Sequence, residues 1–246
     1  MNVIMRKSHQ QFSWSLICLL ILAAGGVGCA KNGVPVGNGP VSTFVSVMNL
    51  APYAPTVDVY LNDTLVSPLG GIPPGGYSTQ YAPLKPGVYD VKFKKTGTDS
   101  LIDEIPASSF DTTNFYTLIL YNTQPGGGVA QAIKIHDDFS MVSPASANYR
   151  FLNLSPDAPR VDLYLDSTIS QNGRTPADNA ANVSLSTFQP IAPATYNLQV
   201  RLSGTDSVLA SLNSVNLTAG NVYTIFLSGK DQSSNSLSIN VLTEIY

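Results

Sequence analysis

Asn49-Leu-Ala-Pro-Tyr-Ala-Pro-Thr-Val-Asp-Val-Tyr-Leu61 returns 104 residues later as Asn153-Leu-Ser-Pro-Asp-Ala-Pro-Arg-Val-Asp-Leu-Tyr-Leu165, with nine of thirteen positions identical. In each copy a proline-fixed bend leads into an alternating segment. Val57, Val59 and Leu61 fall on one face and Asp58 and Tyr60 on the other, the period-two pattern of a half-buried strand. A second match carries Pro83–Ser100 onto Pro190–Ser207 at a shift of 107, and both copies end in Gly-Thr-Asp-Ser. The extra three residues are expected in the polar stretch 166–182, since loops tolerate insertion. A period of this length is a duplicated domain, too long for a solenoid unit.

Outward from the repeat, the remaining segments also read as strands. Tyr89, Val91 and Phe93 alternate with Asp90, Lys92 and Lys94, and Tyr196, Leu198 and Val200 with Asn197, Gln199 and Arg201. Phe115–Tyr121 and Val222–Leu227 are continuously apolar, as central strands are. Pro73-Pro-Gly-Gly76, Pro86-Gly87 and Gln124-Pro-Gly-Gly-Gly128 supply turns. About seven strands per copy and no amphipathic helix predict an all-β chain of two tandem immunoglobulin-like or transthyretin-like sandwiches. Leu217-Thr-Ala-Gly-Asn-Val-Tyr223 sets a Tyr after a turn Gly, the setting of a tyrosine corner. The first copy keeps Tyr116 but has Thr113 in place of the Gly.

The N-terminus reads differently. Arg6 and Lys7 precede an apolar run within residues 12–24, then Gly25-Gly-Val-Gly-Cys29. This is the pattern of a signal peptide over residues 1–28, too short for a comfortable membrane span. Gly28-Cys29 resembles a lipobox, with Gly26 where Leu is usual, so lipidation is expected on Cys29. The alternative is ordinary cleavage nearby with Cys29 left as a free thiol. Residues 29–41 then form a Gly- and Pro-rich tether, followed by sandwich domains at 42–143 and 144–246. Cys18 would leave with the signal peptide, so the mature chain has one Cys and no internal disulfide. The expected location is the cell envelope, as an outer-membrane lipoprotein held to the membrane by its lipid, with the leaflet undetermined. Beyond residue 28 the chain has 11 Lys and Arg against 16 Asp and Glu. That balance offers no basic patch for nucleic acid.

Catalytic chemistry finds little support. His136, in Lys134-Ile-His-Asp-Asp138, is the one His beyond residue 28. Adjacent residues on a strand face opposite ways, so it is not expected to work with Asp137. No Gly-x-Ser-x-Gly elbow occurs, and one His cannot build a His-rich metal site. Asp58 and Asp162 are expected to satisfy nearby turn or backbone groups or simply to face water. No catalytic residue, metal or cofactor is therefore expected, and no enzyme.

Asp followed by Ser or Thr and then Leu, Val or Thr recurs at Asp63-Thr64, Asp99-Ser100, Asp111-Thr112, Asp166-Ser167 and Asp206-Ser207. The pattern resembles a bacterial O-glycosylation sequon on Thr64, Ser100, Thr112, Ser167 and Ser207. Turn chemistry explains the same pairs, since Asp with Ser or Thr favours turns. Tyr53, Tyr77 and Tyr81 form a loop cluster, but Asp157 stands opposite Tyr53 in the second copy. That tilts the expected ligand from glycan toward protein.

The repeated Asn-Leu-(Ser/Ala)-Pro-x-Ala-Pro-x-Val-Asp-(Leu/Val)-Tyr-Leu, the Pro-x-x-Tyr and the late Tyr-Thr resemble the domain-of-unknown-function family DUF4397. The resemblance spans residues 42–246 in two copies and implies secreted or lipid-anchored tandem sandwiches, many from Bacteroidota. It brings no established activity and no catalytic residues; some members are described as adhesion proteins. The expectation is a non-enzymatic envelope module that binds a protein or glycan. The alternatives are a spacer or assembly component of a surface complex, or an accessory glycan-binding protein.

Overall fold

The bend at Pro52 and Pro55 carries the chain from one sheet to another, and the same crossover at Pro156 and Pro159 starts the second copy. In the computed structural model, which describes residues 41–181, 183–230 and 237–244, β1 (Thr43–Asn49) precedes the first bend and β2 (Val57–Leu61) follows it. The first repeat continues with β3 (Thr64–Leu65), β4 (Gly76–Tyr77), β5 (Ala82–Leu84), β6 (Gly87–Lys95), β7 (Leu101–Phe110), β8 (Phe115–Asn122) and β9 (Ala130–His136). The second holds β10 (Ala147–Asn153), β11 (Val161–Leu165), β12 (Thr168–Arg174), a four-residue α1 (Asp178–Ala181), β13 (Gln189–Ile191), β14 (Ala194–Leu202), β15 (Val208–Leu217), β16 (Val222–Gly229) and β17 (Leu237–Glu244). The fold is all-β and sandwich-like. The proposed signal peptide, Cys29 and tether lie outside the described residues. Among the described residues no helix is long and apolar enough to cross a membrane.

Each repeat pairs two sheets. In the first, β4-β1-β8-β9, with β5 also on β1, faces β3-β2-β6-β7; in the second, β13-β10-β16-β17 faces β12-β11-β14-β15. The first strand of each copy runs parallel to β8 or β16, and the other pairings are antiparallel. Residues at matching positions build the two sandwich cores. Val57, Val59, Leu61, Phe93 and Leu118 fill one, and Val161, Leu163, Leu165, Val200 and Ile225 the other.

The continuous apolar runs have a second cause. Residues 39–246 form one compact unit, and a third core joins the repeats: Met48, Leu50, Ile119 and Tyr121 with Leu152, Leu154, Phe226 and Leu242. Along β8, Leu118 and Leu120 face the first sandwich core while Ile119 and Tyr121 face the second repeat. The four sheets therefore stack in four layers, and both faces of β8 and β10 are buried. Like positions meet like: Met48 and Leu152 share this core at the repeat shift, and the Tyr53 hydroxyl donates to its own counterpart, Asp157, at 2.6 Å. That is the pattern of an isologous interface about a pseudo-two-fold axis.

The repeated motifs are fold devices. Asn49 caps its bend by donating to the Ile72 carbonyl at 2.9 Å, as Asn153 does to Arg174 at 3.3 Å. Tyr89 and Tyr196 donate to the carbonyls of Lys85 and Ala192 at 2.8 and 2.7 Å. Both tyrosine corners form. The Tyr223 oxygen accepts the Thr218 amide at 3.0 Å, and the Tyr116 oxygen accepts the Asp111 amide at 3.2 Å. Thr113 takes the left-handed conformation of Gly220, with φ of 62° against 76°. The stretch 166–182, expected as a loop, is partly strand, since β12 occupies Thr168–Arg174.

Candidate functional site: a cleft open in one repeat and filled in the other

β1 and β10 differ at two inward positions. Val45 and Val47 in the first repeat stand where Tyr149 and Phe151 stand in the second. The smaller pair leaves a cleft of about 400 Å³ at the sandwich edge, lined chiefly by Val45, Val47, Val66, Ile72, Tyr77 and Ala82. Its polar groups are largely engaged. The Ser78 hydroxyl accepts the Val47 amide at 2.8 Å and donates to the Val47 carbonyl at 3.0 Å. The Ser67 oxygen accepts the Val59 amide at 3.0 Å. What remains facing the cavity is mostly apolar.

Local chain geometry keeps the cleft open. β3 pairs with β2 over two residues only, after which the chain bulges out, leaving Leu69 94% exposed, and returns at Ile72, which bridges Val57. Gly71 makes that return possible. Its φ is 73°, and a Cβ there would lie 2.8 Å from the Val57 carbonyl oxygen and 2.1 Å from Thr96 Oγ1, so only Gly fits. Residues 64–84, which supply nearly the whole lining, contain no Asp, Glu, Lys, Arg or His.

In the second repeat the same place is closed. β12 follows β11 from Leu165 to Val161, bulges included. The Tyr149 hydroxyl is hydrogen-bonded to Ser170, and the Arg174 guanidinium sits 5.9 Å over the Phe151 ring. Arg174, 2% exposed, donates to Gln171 at 3.4 Å, and Gln171 in turn donates to Gln189 at 3.0 Å. Burial lowers the Arg174 pKa, against the opposing pull of Asp178.

A buried ionic knot lies between the repeats. Arg150, with no exposed side-chain surface, pairs with Asp137 and reaches Glu244 at 3.5 Å; its Nε donates to Thr224 at 2.7 Å. Thr117 donates to Asp137 as Thr224 does to Glu244, and each pair is the other's counterpart at a shift of 107. Tyr81 donates to both carboxylates, at 2.8 and 3.1 Å. Burial, then Asp137 and Glu244, push the Tyr81 hydroxyl far above its ordinary 10.0. Burial foremost, with Asp137 adding, raises Glu244 above 4.5 although Arg150 opposes it. The single guanidinium offsets the charge of the two carboxylates inside the interface, and all three side chains are buried.

The three tyrosines of the loop cluster reach across the repeats, and Tyr77 also lines the cleft. Tyr53 binds Asp157, which also accepts the Gly126 amide at 2.8 Å, Tyr77 meets Phe226 edge-on, and Tyr81 enters the knot. His136 and its neighbours diverge. The exposed His136 ring lies 5.3 Å from Tyr116, Asp137 turns inward to Arg150, and Asp138 accepts the Ser140 amide at 2.9 Å. Hydrogen bonds from Ser140 hold Asp138 below its ordinary 3.8. Asp58 and Asp162 serve turns. Asp58 accepts the Gly97 amide at 3.1 Å, and Asp162 accepts those of Gly204 at 3.0 Å and Gly173 at 2.7 Å.

Thr64, Ser100, Thr112, Ser167 and Ser207 are all exposed, at or beside the turns that join successive strands. In both Gly-Thr-Asp-Ser copies the Thr hydroxyl donates three residues back, to Lys95 or Leu202, and accepts the Ser amide two residues on. Among the described residues no cluster of three or more His, Cys, Asp or Glu could hold a metal. The cleft itself was missed by sequence reasoning. The replacement of Val45 and Val47 by Tyr149 and Phe151, in a run free of charge, was the available signal.

A chain built of two sandwich repeats, with an apolar cleft in the first, belongs among modular all-β proteins. The family model described as domain of unknown function (DUF4397) matches residues 43–164, from β1 through β11. Over that segment the chain is similar to the DUF4397 family. No curated protein matches the chain.

Proposed function

We propose that the chain is a non-catalytic, lipid-anchored binding module of the bacterial cell envelope, with the first-repeat cleft as its binding site. The divergence of the two clefts carries the reading. One duplicated site has been filled by aromatic rings and a buried guanidinium, and the other is left open and apolar. An apolar concavity of a few hundred Å³ is the common form of a ligand site. The test uses N-phenyl-1-naphthylamine, a neutral dye that brightens in apolar surroundings. It is expected to brighten with the native chain and not with Val45→Tyr/Val47→Phe, which grafts the second repeat's filling. Equal brightening with both would remove the cleft from consideration.

The anchor rests on Arg6, Lys7, the apolar run and Cys29. Labelled palmitate is expected to enter the native chain and not Cys29→Ala. Protease treatment of intact cells then separates an outer-surface from a periplasmic location. An adhesive role follows if the surface location holds. O-glycans on Thr64, Ser100, Thr112, Ser167 and Ser207 fit the exposure of all five, and an intact mass equal to peptide plus lipid would exclude them.

A second reading, a rigid spacer in a surface complex, is favoured by the interface between the repeats. A shared core and a buried ionic knot make two tandem sandwiches one unit, and stiffness is what a spacer needs. Unchanged function with the filled cleft would favour this reading.

A further inference from the structure

We infer that the cleft receives an aromatic side chain presented by an uncharged segment of a partner protein. The inference rests on the reading of the cleft as the binding site and names its occupant. The molecule carries its own template: at the corresponding place in the second repeat, Tyr149 and Phe151 put two rings into the space that Val45 and Val47 leave empty. The shape that β1 and its neighbours enclose is therefore one that accepts aromatic rings when the sequence supplies them.

The surroundings distinguish a partner's side chain from a free small molecule. Val66 and Tyr77, which line the cleft, are 44 and 36% exposed, and Leu65 and Leu69, next in sequence to the lining residues Val66 and Pro68, are 38 and 94% exposed. A free ligand enclosed by the cavity would leave that rim wet. A protein segment passing over the opening covers rim and cavity together, and a pocketed aromatic ringed by lesser apolar contacts is the usual anatomy of an interface hot spot. The absence of charge across residues 64–84 sets the polarity of the partner. A charged group would lose hydration at this face and find no counter-ion in residues 64–84, and interface centres are characteristically depleted in charge.

The experiment is competition against N-phenyl-1-naphthylamine on the full chain. The competitors are N-acetyl-phenylalaninamide, N-acetyl-leucinamide, the neutral pentapeptide acetyl-Val-Ser-Phe-Ser-Val-amide and the same peptide with Ala for Phe. Expected is displacement by the phenylalanine amide at lower concentration than the leucine amide. The Phe pentapeptide should displace at about tenfold lower concentration still, the ratio that about 1.4 kcal/mol of rim contact gives, and the Ala pentapeptide should not displace. Leu69→Asp should erase the pentapeptide's advantage while leaving the amide unchanged. Equal potency of amide and pentapeptide would overturn the partner segment in favour of a free aromatic ligand. Displacement by the leucine amide alone, with the dye still bound to the native chain, would overturn the aromatic occupant and leave the cleft a binding site. No dye binding to the native chain would sink both the occupant and the site.

Discussion

Val45 and Val47 on β1 and Tyr149 and Phe151 on β10 began as the same two positions, and the cleft turns on how they diverged. In the second repeat the rings are fully used: Phe151 has no exposed surface, Tyr149 3%, and Arg174 closes over them. In the first, Val47 is half-buried and the chain outside it bulges away at Leu69. The cores behind these positions are alike, so the difference is not a demand of the sandwich. A duplicated fold needs its core twice and its edge only once, and the edge is where one copy is free to keep an opening.

The largest effect is expected where the copies meet rather than where they differ at the edge. Arg150 has Ser46 as its counterpart, and Ser46 is buried with only a 3.4 Å contact to the Ser78 hydroxyl. Arg150→Met leaves Asp137 and Glu244 buried side by side without their cation. Removing one partner from a buried ion cluster costs about 3–5 kcal/mol. Ser46→Ala should cost less than about 1 kcal/mol. Urea unfolding of both variants measures the contrast, and equal small losses would show that the knot does not hold the repeats together. Next in size is Phe151→Val, which gives the second repeat the first repeat's residue. It removes a fully buried ring at a cost of about 2–3 kcal/mol. It should also open a second dye site, whereas Val47→Phe should close the first with little loss of stability.

Two carboxylates of the second repeat predict opposite pH behaviour. Glu244 has its pKa raised in the fold, so its contribution to stability is present below the unfolded value and lost as pH rises through the folded one. Asp162 is the reverse. Burial pushes its pKa up, but hydrogen bonds from Gly173, Gly204 and Ser203, with Arg160 nearby, outweigh that and hold it below 3.8. Its contribution is present above the unfolded value and lost as pH falls through the folded one. Glu244→Gln should flatten the decline in stability above its ordinary 4.5, and Asp162→Asn the decline below 3.8. Denaturant midpoints between about pH 2 and pH 8 resolve the two. Asp162→Ala at neutral pH should cost about 1–3 kcal/mol, since two backbone amides lose their acceptor.

The strand alternation, the turns at residues 73–76 and 124–128 and the corner tyrosines were legible because each is local. A period of two, a Gly and a Tyr at fixed spacing dictate their own hydrogen bonds. The face-to-face packing of the repeats was not read, although its signature was present. Apolar residues at consecutive positions of β8, from Leu118 through Tyr121, rather than at every second one, require both faces to be buried. The contacts of Tyr53 and Tyr81 across the repeats were illegible for the same reason, since their partners Asp157 and Glu244 lie 104 and 163 residues away. The exchange of Val45 and Val47 for Tyr149 and Phe151 was visible in the sequence, but its consequence was not, because that depends on where the next strand bulges.

The smallest expected effect bears on how far the first copy tolerates departure from the second. Thr113 holds φ at 62° where Gly220 holds 76°, and an L-residue in that region is strained by about 1–2 kcal/mol. Its hydroxyl recovers part of that by donating to the Thr112 carbonyl at 2.7 Å, and Gly would add about 0.5–1 kcal/mol of unfolded-chain freedom. Thr113→Gly should therefore stabilise by about 0.5 kcal/mol, the remainder after these offsets. Gly220→Ala should destabilise by about 1 kcal/mol through φ alone, since a Cβ there meets only the Pro144 carbonyl oxygen at 3.6 Å. Thermal unfolding of the pair decides the point. Opposite signs mean that both corners require the left-handed turn and that the first copy keeps it under strain. A Thr113→Gly chain less stable than the native would mean that the Thr112–Thr113 hydrogen bond, absent from the second copy, carries the first corner.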